Sequence, residues 1–184
     1  MKLHLGCGKR YLEGFIHIDL DDHDHINYKS SIEKLPFIED ESVDVIYSCG
    51  VLEYFDNLEV KDVLKECHRV LKKNGKLLTS VPNFESIVKV YLTEKNIYSE
   101  GILGPLYGRI VIKNNLNTKV LYHKTVYDFH SLKSTLEKSD FYDIKLFDPF
   151  EIFPDDYDDY SKAFFPFKDR NGIQIHLNIE SKKK

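Results

Sequence analysis

The sequence predicts an α/β fold, a layered and mostly parallel sheet, from three observations. Short apolar runs with strand character alternate with amphipathic helical runs. The first strand ends in a glycine pair, "LHLGCGKR", and the second in an aspartate, "FIHIDL". The chain of 184 residues is long enough for one domain with a sizeable core.

The elements follow in order. Lys2 to Leu5 reads as a first strand, Phe15 to Leu20 as a second, and "VDVIYS", Val43 to Ser48, as a β-branched third. Asp56 or Asn57 can cap a helix whose apolar residues fall at Val60, Val63, Leu64, Cys67, Val70 and Leu71, with Gly75 as its stop. "KLLTSV" is a strand ended by Pro82. Asp128 can cap a second helix with Phe129, Leu132 and Leu136 on one face. "YDIKLF" and "IQIHLNI" are further strands, the last placing Ile173, Ile175, Leu177 and Ile179 on one side and His176 on the polar side, as a structural residue. Between Phe84 and Tyr127 the pattern loosens into turn-rich stretches, "SEGILGPLYGR" and "KNNLNT". Loops this long in compact domains are usually functional or disordered, so residues 84–127 are expected to be a lid or acceptor-binding insert within a single domain spanning residues 1–184.

Composition narrows the function. The net charge of −4 argues against a nucleic-acid partner, and no run is long enough to span a membrane. The N-terminus reads as strand and not as a signal peptide, and the odd set Cys7, Cys49 and Cys67 lacks metal-ligand spacing. Reduced thiols in a cytoplasmic protein are therefore expected. Cys7 reads either as a reactive thiol or, more simply, as a small residue in a tight loop.

Ligands of open α/β sheets bind beyond the carboxyl ends of the strands. Gly6-Cys7-Gly8, Asp19, the segment Ser48 to Tyr54 and the segment after Val81 all lie at such ends and should converge on one crevice. A dinucleotide fingerprint fits poorly. It needs a third glycine, a full helix and an acidic residue about 20 positions on. Here Tyr11 replaces the third glycine, Asp19 comes 13 residues after Gly6, and Gly14 breaks the short link.

The run "KLHLGCGKRYLEGFIHIDL", with "SIEKLPFIEDESVDVIYSCGVLEYF", "VLKECHRVLKKNGKLLTSVPN", "LYGR" and "YHKTVYDFHSLKSTLEKSDF", resembles the class I S-adenosylmethionine-dependent methyltransferases. The likeness is to the small bacterial kind encoded among capsule and lipopolysaccharide biosynthesis genes. It implies a Rossmann-like domain with a seven-stranded, mostly parallel sheet and an antiparallel last strand. It implies S-adenosylmethionine as cofactor, S-adenosylhomocysteine as product, and a small sugar- or nucleotide-linked acceptor, with O-methyl transfer favoured. One specific acceptor it brings in is a capsular phosphoramidate built on a cytidine diphosphate carrier. The alternatives are a methyltransferase of another metabolite or of a protein, and a non-catalytic adenosylmethionine-binding protein.

By the same resemblance, Gly6, Cys7 and Gly8 face the methionine end of the cofactor, where a Cβ would block close approach. Asp19, with Leu20 beside it, meets the ribose hydroxyls. Ser31, Ile32 and Glu33 fall at the adenine, Ser31 standing where many relatives carry Asp. Cys49 and Gly50 face the methionine tail, and Glu53 faces solvent or braces its loop. "HKT" lies at the active-site mouth, so His123 reads as a general base and Tyr127 as a second catalytic group, against a plain structural role. Tyr107, Arg109 and Tyr122 are expected to bind the acceptor, Arg109 through its bidentate fork or else as an ordinary surface residue. "DLDDHDH", with two His and four Asp in seven residues, has no second cluster to close a coordination shell and reads as a solvated loop with no metal. The tract "DDYDDY" reads as a solvated loop too.

Overall fold

The computed structural model describes residues 1–113, 118–166 and 170–184. Residues 114–117, most of "KNNLNT", lie outside the described residues. In chain order the elements are β1 (Lys2–Leu5), β2 (Ile16–Asp19), β3 (Tyr28–Lys29), β4 (Val43–Cys49), α1 (Glu59–Val70), β5 (Leu71–Pro82), α2 (Phe84–Glu94), α3 (Leu103–Tyr107), β6 (Ile110–Lys113), β7 (Thr118–Leu121), α4 (Phe129–Glu137), β8 (Phe141–Leu146), α5 (Pro149–Ile152), β9 (Phe164–Phe165), β10 (Ile173–Gln174) and β11 (His176–Lys183). Seven strands form the main sheet in the order β3-β2-β1-β4-β5-β11-β8. β1 to β5 pair in parallel, and β11 runs antiparallel to both its neighbours.

Alternation along the strands fills two layers. Ile46 and Leu77 join α1 and α4 through Val60, Val63, Leu64, Leu132 and Leu136. Tyr47 and Leu78 point to the other face, against Leu12, Phe153 and Tyr157. The link from β1 to β2 is too short for a helix, so imidazole and phenol rings fill this second face. His4 and His17 are buried, with ring centroids 5.5 Å apart, and His4 lies 5.2 Å from Tyr47. Asp159 closes the layer from above by accepting from Tyr47 Oη and from the Ser161 backbone at 2.8 Å.

Asp128 caps α4 as expected, whereas the N-cap position of α1 is Leu58, without a side-chain cap. Asp56 accepts from the Leu58 and Glu59 amides before α1, and Asp128 forms a reciprocal capping box with Ser131 on α4. α1 ends at Val70, however, not at Gly75, which lies inside β5. The segment 84–127 also differs from the expectation: it holds α2, α3 and the hairpin β6–β7. α2 was illegible because its apolar residues Phe84, Val88, Tyr91 and Leu92 are exposed while Ser86, Ile87 and Val90 are buried. Its N-cap is Asn83, directly after the strand that Pro82 ends.

Candidate active site

The glycine turn is fixed by its neighbours. Gly6 and Gly8 have φ of +63° and +53°, a region costly for residues with a Cβ. The Gly6 amide donates to Ile18 O at 2.8 Å, and the Gly8 amide donates to Asp19 Oδ2 at 2.7 Å. Asp19 Oδ1 accepts from the Asp21 amide at 2.8 Å. The strand-end carboxylate therefore locks the turn and its own loop while keeping lone pairs for a ligand, since a carboxylate offers about four acceptor sites. The turn after β4 packs against the first. Gly50 has φ +70°, and a Cβ on Gly6 would stand 2.4 Å from Val51 Cγ2. Gly6→Ala should thus lower stability by about 1–2 kcal/mol from backbone strain alone, and more from the clash. A thermal melt checks it.

A cavity of about 230 Å³ opens where these turns meet. Gly6, Asp19, Leu20, Ile32, Glu33 and Gly50 line the sheet side, and Ile110, Ile112, Lys119 and Leu121 of the hairpin form the opposite wall. Lys124 bonds Glu59 at 2.6 Å on its rim. Ser30 reaches this cavity; the carbonyl of Ser31 accepts from the Ser30 hydroxyl at 3.0 Å. Two cysteines turn away. Cys49 packs on the Tyr47 side of the sheet, where burial pushes its thiol well up. Cys7 is buried, and burial with the charge of Asp19 pushes its thiol up to about 12. Both are protonated packing residues at neutral pH.

Glu53 departs from the sequence expectation. It is 1 % exposed, so it does not face solvent, and burial raises its carboxyl to about 8. Its backbone carbonyl does brace the loop, accepting from the Lys124 amide at 2.8 Å and the Thr125 amide at 3.2 Å. Glu53 Oε1 lies 3.7 Å from His123 Nε2. His123 Nδ1 pairs with Pro105 O at 2.8 Å, so that nitrogen carries the proton and Nε2 presents a lone pair. Burial lowers the imidazole's affinity for a second proton. Gly108 lies against the ring: a Cβ there would be 1.8 Å from Nε2. Tyr127 is buried nearby, its hydroxyl pushed up by burial and by the charge of Glu53.

Tyr107 and Tyr122 are 60 % and 51 % exposed, and Arg109 is exposed beside them. Cross-strand register pairs Ile110 with Leu121 and Ile112 with Lys119 on the cavity face. Arg109 and Tyr122 lie at the open end of this hairpin, outside the cavity lining. A different cation, Arg10, is linked to Gly50 through Tyr160. The Arg10 guanidinium lies 4.8 Å from the centroid of Tyr160, whose ring would contact a Cβ on Gly50 at 3.6 Å. Tyr160 stacks on His176, which bonds Ser80 Oγ at 3.0 Å and is kept neutral by burial. Arg10, Glu53 and Tyr160 carry no local sequence signal; chain segments up to 148 residues apart bring Arg10 to Asp158, next to Tyr160. Among the described residues, no group of three or more His, Cys, Asp or Glu is placed to hold a metal.

Strand order, the antiparallel β11 and the glycine–aspartate crevice define the Rossmann-like methyltransferase fold. Residues 15–79 match the sequence profile of the family described as "Methyltransferase domain". Among solved structures, the chain is similar to a SAM-dependent methyltransferase from Archaeoglobus fulgidus, with TM-score 0.56 and 17 % identity over 99 % of this chain and 85 % of that one. It is similar to a SAM-dependent methyltransferase from Methanosarcina mazei, with TM-score 0.55 and 15 % identity over 99 % and 91 %. It is also similar to the 1,6-didemethyltoxoflavin-N1-methyltransferase of Burkholderia thailandensis, which holds S-adenosylhomocysteine, with TM-score 0.54 and 12 % identity over 100 % and 70 %. No curated protein sequence matches the chain. The crevice fits S-adenosylmethionine. Gly6 and Gly50 present backbone to it at the ends of β1 and β4, Asp19 offers acceptors for the ribose, and Leu20 and Ile32 give apolar surface for the adenine.

Proposed function

We propose that this protein transfers a methyl group from S-adenosylmethionine to a small-molecule acceptor. The observation that carries the reading is the convergence of Gly6, Asp19 and Gly50 on one crevice at the carboxyl ends of β1, β2 and β4. The bound cofactor supplies an electrophilic methyl on a sulfonium, already a good leaving group. The protein's task is alignment and exclusion of water. Ile110, Ile112 and Leu121 present an apolar wall for that purpose. The cavity is smaller than the roughly 300–1,000 Å³ of cofactor pockets, so the β6–β7 hairpin is read as a lid that swings outward on loading.

For the acceptor, we favour O-methylation of a sugar- or nucleotide-linked precursor of surface polysaccharide, in the cytoplasm. The phosphoramidate carried on cytidine diphosphate is the specific candidate. The sequence motifs support this reading. So does the placing of Arg10 on the Tyr160 ring, which sets a cation suited to phosphate on the Gly50 side of the sheet. Tyr107, Arg109 and Tyr122 would join it only through movement of the hairpin. The test is incubation with methyl-labelled adenosylmethionine and a panel of nucleotide-linked sugars and phosphoramidates. Label should pass to a nucleotide-linked acceptor. NADH should not bind in calorimetry, and micromolar NADH binding would revive a dehydrogenase reading.

A further inference from the structure

Among the described residues eight buried side-chain polar atoms have no hydrogen-bond partner, and two of them, Glu53 Oε2 and Tyr127 Oη, belong to neighbouring side chains. They come from distant parts of the chain. Buried polar groups are normally paired, so two unpaired ones side by side point to a missing ligand group. Their place is informative. A Cβ on Gly50 would contact Glu53 Oε1 at 3.7 Å and the Tyr160 ring at 3.6 Å, so Glu53 stands beside the glycine that lines the cofactor crevice.

Resting on the methyltransferase reading, we infer that Glu53 is the group that takes up the acceptor's proton, that His123 positions it, and that the arriving cofactor switches it on. The acceptor is then a neutral hydroxyl of a sugar- or nucleotide-linked precursor, whose proton must leave, and the anionic phosphoramidate oxygen is the candidate that this inference tells against.

The electrostatics support the geometry. With its carboxyl raised to about 8, Glu53 is a neutral acid at neutral pH. His123, its ion-pair-distance neighbour among the described residues, offers a lone pair and no positive charge. The other titratable groups facing it are Cys49 of β4, Tyr54 of the same turn, Tyr127, and Tyr160 across Gly50. All are neutral when protonated, and the Arg10 guanidinium engages the Tyr160 ring, 4.8 Å from its centroid, so none of these draws the proton off. A sulfonium held in the crevice beside Gly50 would, because an opposite charge within about 4–6 Å lowers a carboxyl by roughly 1–3 pH units. The proton released on loading goes to solvent. In the transfer, the acceptor's oxygen forms the new C–O bond and the S–C electron pair stays on sulfur. The hydroxyl proton passes to Glu53, which returns to its neutral acid. The buried positive and negative charges vanish together.

The experiment needs no acceptor. S-adenosylmethionine, which carries the sulfonium, and S-adenosylhomocysteine, which lacks it, are titrated into the protein at pH 7. Calorimetry in phosphate and in Tris counts the protons exchanged. Adenosylmethionine should release roughly half a proton or more per site beyond adenosylhomocysteine. Glu53→Gln should abolish that excess while binding adenosylhomocysteine within about 3-fold of wild type. Equal proton counts in the wild type overturn the inference without any variant, and an excess that survives in Glu53→Gln also overturns it. If both ligands bind with equal counts, only the inference falls. If neither binds, the methyltransferase reading falls with it.

Discussion

Asp19→Ala should weaken adenosylhomocysteine by about 1.5–3 kcal/mol, the range for hydrogen bonds to a charged group, or roughly 10- to 150-fold in Kd. The upper half of that range is expected. The same carboxylate that would meet the ribose also holds the Gly8 amide at 2.7 Å and the Asp21 amide at 2.8 Å. Its removal would free the glycine turn as well as delete the ligand contact. Asp19→Asn keeps an acceptor for one of these amides and should lose less. Calorimetry on variants with wild-type circular dichroism checks both. Unchanged affinity in a folded Asp19→Ala protein would place the cofactor elsewhere.

A second large effect is acid lability. Burial lowers His4 and His176 to about 3, against about 6.5 for a free imidazole. Between those values the unfolded chain binds protons that the folded protein refuses, so stability rises with pH there. The contribution is fully present above about pH 6.5 and is lost progressively as pH falls toward 3. Glu53, raised to about 8, acts in the opposite sense, adding stability as pH falls from 8 to 4.5. One carboxyl is outweighed by two deeply buried imidazoles, with His17, His68 and His123 also lowered. The net loss should reach several kcal/mol, a large share of the ~5–15 kcal/mol typical of a domain. The chain has no Trp, so unfolding is followed by far-ultraviolet circular dichroism. His4→Leu should move the acid midpoint to lower pH; an unmoved midpoint would mean that His4 does not carry this lability.

What the sequence revealed follows from which features are local. β1, β2, β4, α1 and α4 announce themselves through periodicity, because each buries one face, and the two helices begin just after aspartates that bond their first amides, Asp56 and Asp128. The glycine turn and Asp19 were visible because both lie at strand ends, where topology alone brings them together. α2 was hidden because the side it buries carries a serine and its large apolar residues are exposed. The polar cluster was hidden for a different reason. Glu53 looks like a loop residue until the segments holding His123 and Tyr127 fold over it. Arg10 gains its meaning from Tyr160, which returns from the far end of the chain.

β11 lies between β5 and β8, yet it follows every other strand in the chain. During synthesis the β5 edge therefore stays open until residues 176–183 have emerged. Val81, Thr79 and Leu77, which pair with Leu177, Ile179 and Ser181 in the finished sheet, have no partner on that side until then. Such an unpaired interior strand is a template for wrong pairing with another nascent chain. The pairing that resolves it spans about a hundred residues of sequence and carries a high loop-closure cost, which slows folding. The pair Lys76 and Glu180, bonded at 3.1 Å near the end of that ladder, sets opposite charges where the late strand must find its register. The late arrival of β11 thus leaves β5 open to wrong pairing until the sheet is completed.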